Sequence, residues 1–234
     1  MKKIFSLSLV LTLCLTLLCA CSGKPEAPET PELQPLPKPE IQEGTMFSVD
    51  KNINISTIDN YLNRDDVCYR DMRLLFDPAD YASIGGEADL TRTITGFKIV
   101  PFPYIATLQT LPVEGAYDGD RLYEVVWNEN GTVASATPLY KESEMILREL
   151  FPKDKAIFLM CGGGGYANMM KQLLLFLGWN EELLYNVGAN WEYNGNNKLE
   201  LIVYPETAGE RNIYATWRAD YAYIDFTKLS PLGE

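Results

Sequence analysis

An unbroken apolar segment stands at Ala156-Ile157-Phe158-Leu159-Met160. It is continuous rather than alternating, which predicts a strand buried on both faces in the middle of a parallel sheet. Cys161 and four glycines follow, and then Met169, Met170, Leu173, Leu174 and Leu177 recur at helical spacing up to the stop at Gly178. Leu183–Val187 predicts the next strand. Upstream, Val67–Arg70 reads as a buried strand running into Asp71-Met72-Arg73, and Gly96–Pro101 as a second. Ser56 is placed to cap a short helix ending near Arg64, Asp77-Pro78 restarts a helical turn, and Ser143–Phe151 has helical spacing. Leu122–Trp127 and Thr132–Ala136 flank Asn128-Glu129-Asn130-Gly131, a β-hairpin pattern. Strands alternating with helices predict an α/β fold with a parallel sheet covered on both sides. The apolar runs Leu199–Tyr204 and Tyr221–Phe226 predict one or two edge strands.

The N-terminus has a different pattern. Met1-Lys2-Lys3 precedes an uncharged apolar run from Ile4 to Ala20, the layout of an export signal. Its strongly apolar core is short against the ~20 residues that span a bilayer, which favours cleavage over a transmembrane anchor. The run ends Leu18-Cys19-Ala20-Cys21, which resembles the lipobox of bacterial lipoproteins. That resemblance implies that residues 1–20 are a signal peptide, that Cys21 carries lipid, and that the protein sits on the cell membrane or envelope, outside the cytoplasm. The alternative is an ordinary signal with an incidental Cys21. Residues 21–45 alternate Pro with Glu and lack both helical and strand periodicity, as expected of a solvated tether or, less commonly, a Pro-rich ligand. Residues 46–234 form the expected folded domain.

Composition narrows the chemistry. Apolar residues make up 47% and charged residues 22% of 234, a balance that supports one packed domain. The net charge of -12, with no basic stripe, argues against a nucleic-acid partner. The chain contains no His, which excludes Ser-His-Asp and Cys-His catalysis and imidazole metal ligands, and no metal or organic cofactor is expected.

The order strand, Cys161, glycines, helix puts a thiol at the carboxyl end of a sheet strand, where open α/β sheets bind ligands. Gly162, Gly163, Gly164, Gly165, Tyr166 and Ala167 would then curl with their N–H groups inward as an anion cradle. The helix field is expected to favour the thiolate of Cys161. The plainer alternative is a tight turn with Cys161 a small buried apolar residue. Four glycines cost more backbone entropy than a turn needs, so a close approach to something is expected.

Three segments together resemble the rhodanese homology domain: Val67–Arg73, then Gly96-Phe97 leading to Ile99-Val100-Pro101, then Ile157–Cys161 with its loop and helix. Gly178-Trp179 and Leu184-Tyr185-Asn186-Val187-Gly188-Ala189-Asn190-Trp191 match that family's closing strand and glycine turn. The resemblance covers about residues 53–195 outside an insertion at about 104–140. It implies a parallel five-stranded sheet flanked by helices, and a Cys161 that takes sulfane sulfur from a small donor as a persulfide and passes it to a thiol acceptor. It implies a supporting role for Asp71 and Arg73 as an acidic and basic pair bracing the site. The family's His before the Gly-Phe element is replaced by Thr93-Ile94-Thr95, and the loop lacks the Arg or Lys used to bind thiosulfate.

A related Cys-dependent phosphatase needs an Arg where Ala167 stands, and a nucleotide P-loop needs Lys-Ser or Lys-Thr where Tyr166-Ala167 stands. The rival from another class is a rhodanese-like domain used as a surface binding or scaffold module, with Cys161 idle. Cys68 and Cys161 are expected to lie too far apart to bridge, with Cys68 buried and reduced.

Overall fold

The computed structural model describes residues 33–74, 77–81, 90–109, 114–201 and 224–233. The expected signal peptide, Cys21 and the first part of the tether lie outside these residues. The chain divides into two compact units at Leu36/Pro37, and of the first only residues 33–36 are described, without secondary structure. No described helix is long and apolar enough to cross a membrane.

The second unit is a mixed α/β fold. In chain order its strands are β1 (Val67–Asp71), β2 (Arg92–Ile94), β3 (Lys98–Ile99), β4 (Tyr123–Trp127), β5 (Val133–Pro138), β6 (Ala156–Cys161), β7 (Leu184–Ala189) and β8 (Lys198–Glu200). Its helices are the single turn α1 (Phe102–Ile105), α2 (Ser143–Leu150) and α3 (Gly165–Phe176). Among the described residues the central sheet has four strands in the order β3-β1-β6-β7, all parallel, where the family resemblance implied five. Of the expected C-terminal edge strands, only residues 199–201 and 224–226 are described, and the rest lie outside the described residues. Lys198–Glu200 pairs antiparallel with β2 in a separate ribbon, and Phe226–Lys228 is a 3₁₀ turn. All three β8 residues are exposed, so no apolar face draws that strand to the main sheet.

β6 is buried along its whole length because both faces are covered. Ile157, Leu159 and Cys161 join the core formed by Met169, Met170 and Leu173 of α3. On the other face, Tyr69, Phe158 and Tyr185 pack ring to ring, with centroids 5.5 and 5.1 Å apart. The period-2 alternation of a strand thus sends Cys161 to the α3 side. The hairpin β4–β5 turns through Gly131, at φ 80°, and buries Tyr123, Val125 and Val133 in the α3-side core. It adds none of the described residues that line the cavity beside Cys161.

Two local readings change. Ile58–Tyr61 is one 3₁₀ turn whose N-cap position is Thr57, not Ser56. The Thr57 hydroxyl accepts from the Asn54 amide, so a local turn takes the place of a helix cap. Residues from Pro37 onward, read as tether to 45, lie along β7: Tyr185 Oη donates to the Pro37 carbonyl at 2.8 Å and Asn186 Nδ2 to the Phe47 carbonyl at 2.6 Å. Asp50 is buried and caps the turn by accepting the amides of Glu40, Asn52 and Ile53. This segment docks through backbone carbonyls, which carry no hydropathy signal.

Candidate functional site

β6 delivers Cys161 to the N-terminus of α3, and Cys161 is only 3% exposed. Gly164, at φ 95°, turns the chain back so that its N–H donates to Cys161 Sγ at 3.0 Å. The Ala167 and Tyr166 amides also point at the sulfur. They belong to the first turn of α3, where amides have no intrahelical partner. Three of the six loop amides expected to point inward thus reach the sulfur, but the electrostatic balance is the reverse of the expected one. Burial pushes the Cys161 thiol up to about 11, the three amides pull it down less, and the Asp71 charge adds to the rise. The helix field does not outweigh loss of water, so the resting group is a neutral thiol.

The close approach that the glycines permit is made by the chain itself. A Cβ on Gly162 would stand 2.6 Å from Trp191 ring carbons, and one on Gly163 3.1 Å from them. Trp191 follows β7 in a 3₁₀ turn, and its amide donates to the Gly162 carbonyl at 3.3 Å. Gly162→Ala is expected to destabilise the fold by about 1–3 kcal/mol, because the indole must move or the loop must open. Urea unfolding monitored by circular dichroism measures this, and a change below about 0.5 kcal/mol would show that Trp191 yields freely.

β7 contributes through a bulge. Leu159 faces Asn186 while Met160 faces Gly188, leaving Val187 as an extra residue. Gly188 takes φ 100°, and Asn186 Oδ1 accepts its amide at 3.0 Å. Val187, freed from the register, lines the cavity.

Asp71 and Arg73 come together at the end of β1. Arg73 Nε donates to Asp71 Oδ1 at 2.9 Å and Arg73 Nη2 to Oδ2 at 2.6 Å. Thr93 donates its hydroxyl to Oδ2 at 2.7 Å. Arg73 Nη2 also donates to the Arg92 carbonyl, so this group ties β2 to the main sheet.

A second polar cluster has no counterpart in the sequence reading. The Tyr81 and Tyr166 hydroxyls each donate to Asp77 Oδ2 at 2.8 Å, and the two phenolic oxygens are 2.6 Å apart. Burial and the Asp77 charge raise both tyrosines well above their ordinary range, so both stay protonated. Asp77 is held in turn by accepting the Ala79 amide at 3.0 Å.

These elements enclose one cavity of about 750 Å³, at the carboxyl ends of β1, β6 and β7. Cys161, Arg73, Asp77, Tyr81, Tyr166 and Trp191 all line it, with the segment from Gln42 to Val49 along one side. Of the residues expected in the loop, Gly162, Gly163, Gly165 and Tyr166 face it, while Gly164 and Ala167 act through their amides. Asp77, Tyr81 and the docked segment were not legible as site residues. Trp191 was, had the rule for strand carboxyl ends been applied to β7 as well as to β6. Cys68 is buried and unbridged. Among the described residues, no group of three or more potential ligands could hold a metal ion.

Compared with family models, curated proteins and solved structures, the chain matches none of them.

Proposed function

We propose that this protein is a rhodanese-like persulfide carrier, tethered outside the cytoplasm through lipid on Cys21, and that Cys161 is its sulfur-bearing residue. The observation that supports the reading is the placement of Cys161 Sγ within three loop amides on the wall of a cavity. A neutral thiol is inert towards most electrophiles. The cradle suits an anion that arrives with the sulfur, because a terminal persulfide carries its charge outward from the buried Sγ while the amides remain in reach. With no His in the chain, the Cys161 proton leaves with the departing thiolate of the donor. Asp71 and Arg73 act as positioning residues, tying β2 to the end of β1 beside the cavity.

One observation favours the second reading, a binding module in which Cys161 is idle. The rise of the thiol to about 11, with Trp191 packed on Gly162 and Gly163, also fits a purely structural loop. Mass spectrometry of the soluble domain after incubation with inorganic polysulfide or thiosulfate separates the two. A carrier gains one sulfur on Cys161, loses it to cyanide, and gains nothing as Cys161→Ser. Absence of the adduct with every donor would leave the binding module as the better account.

A further inference from the structure

We infer that the donor is an organic hydropersulfide with an uncharged, apolar body, a conclusion that rests on the persulfide-carrier reading and adds its substrate class. The cavity of about 750 Å³ falls in the range of sites for whole organic molecules and exceeds what a small inorganic anion fills. Much of its wall is apolar, with Phe47, Val49, Ile55, Leu74, Val187 and Trp191 among the lining residues. Water in such a site is displaced favourably by an apolar group, whereas a charged body would lose hydration without gaining a partner.

The charges on the wall point the same way. Among the described lining residues the charged ones are Arg73, Asp77 and Glu192, one cation against two anions. Arg73 is already committed to a bidentate pair with the fully buried Asp71. The local field therefore disfavours a second negative charge, and among the described lining residues a dianion meets no cation beyond the already paired Arg73. Of the uncharged polar side chains on the wall, Tyr81 and Tyr166 are turned to Asp77, Thr45 to the Gln42 carbonyl, and Asn54 to the Asp50 and Lys51 carbonyls.

The transfer balances without a further reactant. Cys161 Sγ bonds to the outer sulfur of R–S–SH as the donor's S–S bond breaks. The electron pair leaves on R–S, which takes the Cys161 proton and departs as R–SH. Cys161 becomes Cys161–S–SH, oxidised by the two electrons that reduce the donor.

Benzyl hydropersulfide and mercaptosuccinate hydropersulfide share the reactive group and differ in the body, apolar in one and dianionic in the other. One-sulfur gain on Cys161 is timed by mass spectrometry, each rate divided by the same donor's rate with free N-acetylcysteine amide. The benzyl donor is expected to be at least tenfold faster after this correction. Benzyl methyl sulfide, which has no sulfur to give, should slow it and change the fluorescence of the protein but not of Trp191→Phe. Ile55→Lys places a cation on the half-buried wall and should narrow the gap about tenfold. If that variant does not fold, competition by benzyl methyl sulfide in the unaltered protein still decides. Equal or faster loading from the dianionic donor overturns this inference while leaving the carrier reading intact. No sulfur from either donor or from inorganic polysulfide overturns the carrier reading and this inference with it.

Discussion

Alkylation of Cys161 by iodoacetamide should climb about tenfold per pH unit from pH 7 and level off only near pH 11. A thiol raised from 9.0 to about 11 holds about a hundredfold less thiolate at neutral pH than an unperturbed one. The same cysteine in urea-unfolded protein should therefore react at least that much faster, and burial of the side chain widens the gap. Peptide mapping separates Cys161 from Cys68, whose thiol burial also raises. A plateau near pH 7 would mean that the three amides outweigh desolvation, which would favour direct attack by a standing thiolate. The same shift acts on stability. Below about pH 9 the thiol is protonated in both states and its effect is constant. Between about 9 and 11 the unfolded chain releases the proton and the folded chain keeps it, so stability falls by about 3 kcal/mol across that window. Tyr81 and Tyr166, also held protonated by burial, extend the loss to higher pH. Circular dichroism recorded with the alkylation series keeps unfolding from being mistaken for reactivity.

The parts of this fold legible in the sequence are those where periodicity and burial coincide. β6 reads directly because both of its faces are covered and each of its residues is apolar. The hairpin reads because Gly131 needs a left-handed conformation between two strands. The loop reads because four glycines are costly without a reason, although the reason, Trp191, comes from thirty residues downstream and is not written in the loop itself. The electrostatics of Cys161 were misread for a similar cause. A helix N-terminus is a local feature of sequence, whereas burial of the sulfur depends on the whole fold closing over it. The Asp77–Tyr81–Tyr166 cluster depends on a contact spanning 89 residues between Tyr166 and Asp77, and neither residue has a pattern that announces the other. The docked segment after Pro37 is invisible for a third reason, since its anchors are main-chain groups.

Asp71→Asn is expected to be the most damaging single substitution at the site, costing about 3–5 kcal/mol. The carboxylate is 0% exposed and accepts four bonds: Arg73 Nε and the Arg73 amide on Oδ1, Arg73 Nη2 and the Thr93 hydroxyl on Oδ2. An Asn amide nitrogen cannot accept, so whichever way it is turned it meets two donors with a third. The Thr93 hydroxyl can rotate away, but the planar guanidinium has only donors to offer. It would be left beside the cavity with the Arg92 carbonyl and the one remaining amide oxygen as partners, and without its carboxylate. Because small domains are stable by about 5–15 kcal/mol, a loss of this size removes a large part of the total. Replacing both members, Asp71→Leu with Arg73→Met, should recover much of it, since a buried ion pair is commonly no more stable than an apolar pair of similar volume. Recovery should stop short of the starting value, because Thr93 Oγ1 keeps its proton and loses its acceptor at about 1–3 kcal/mol. Chemical denaturation of the three proteins tests this order. A loss below about 1 kcal/mol for Asp71→Asn would mean that water reaches the pair, and β2 would then need another tie to the sheet.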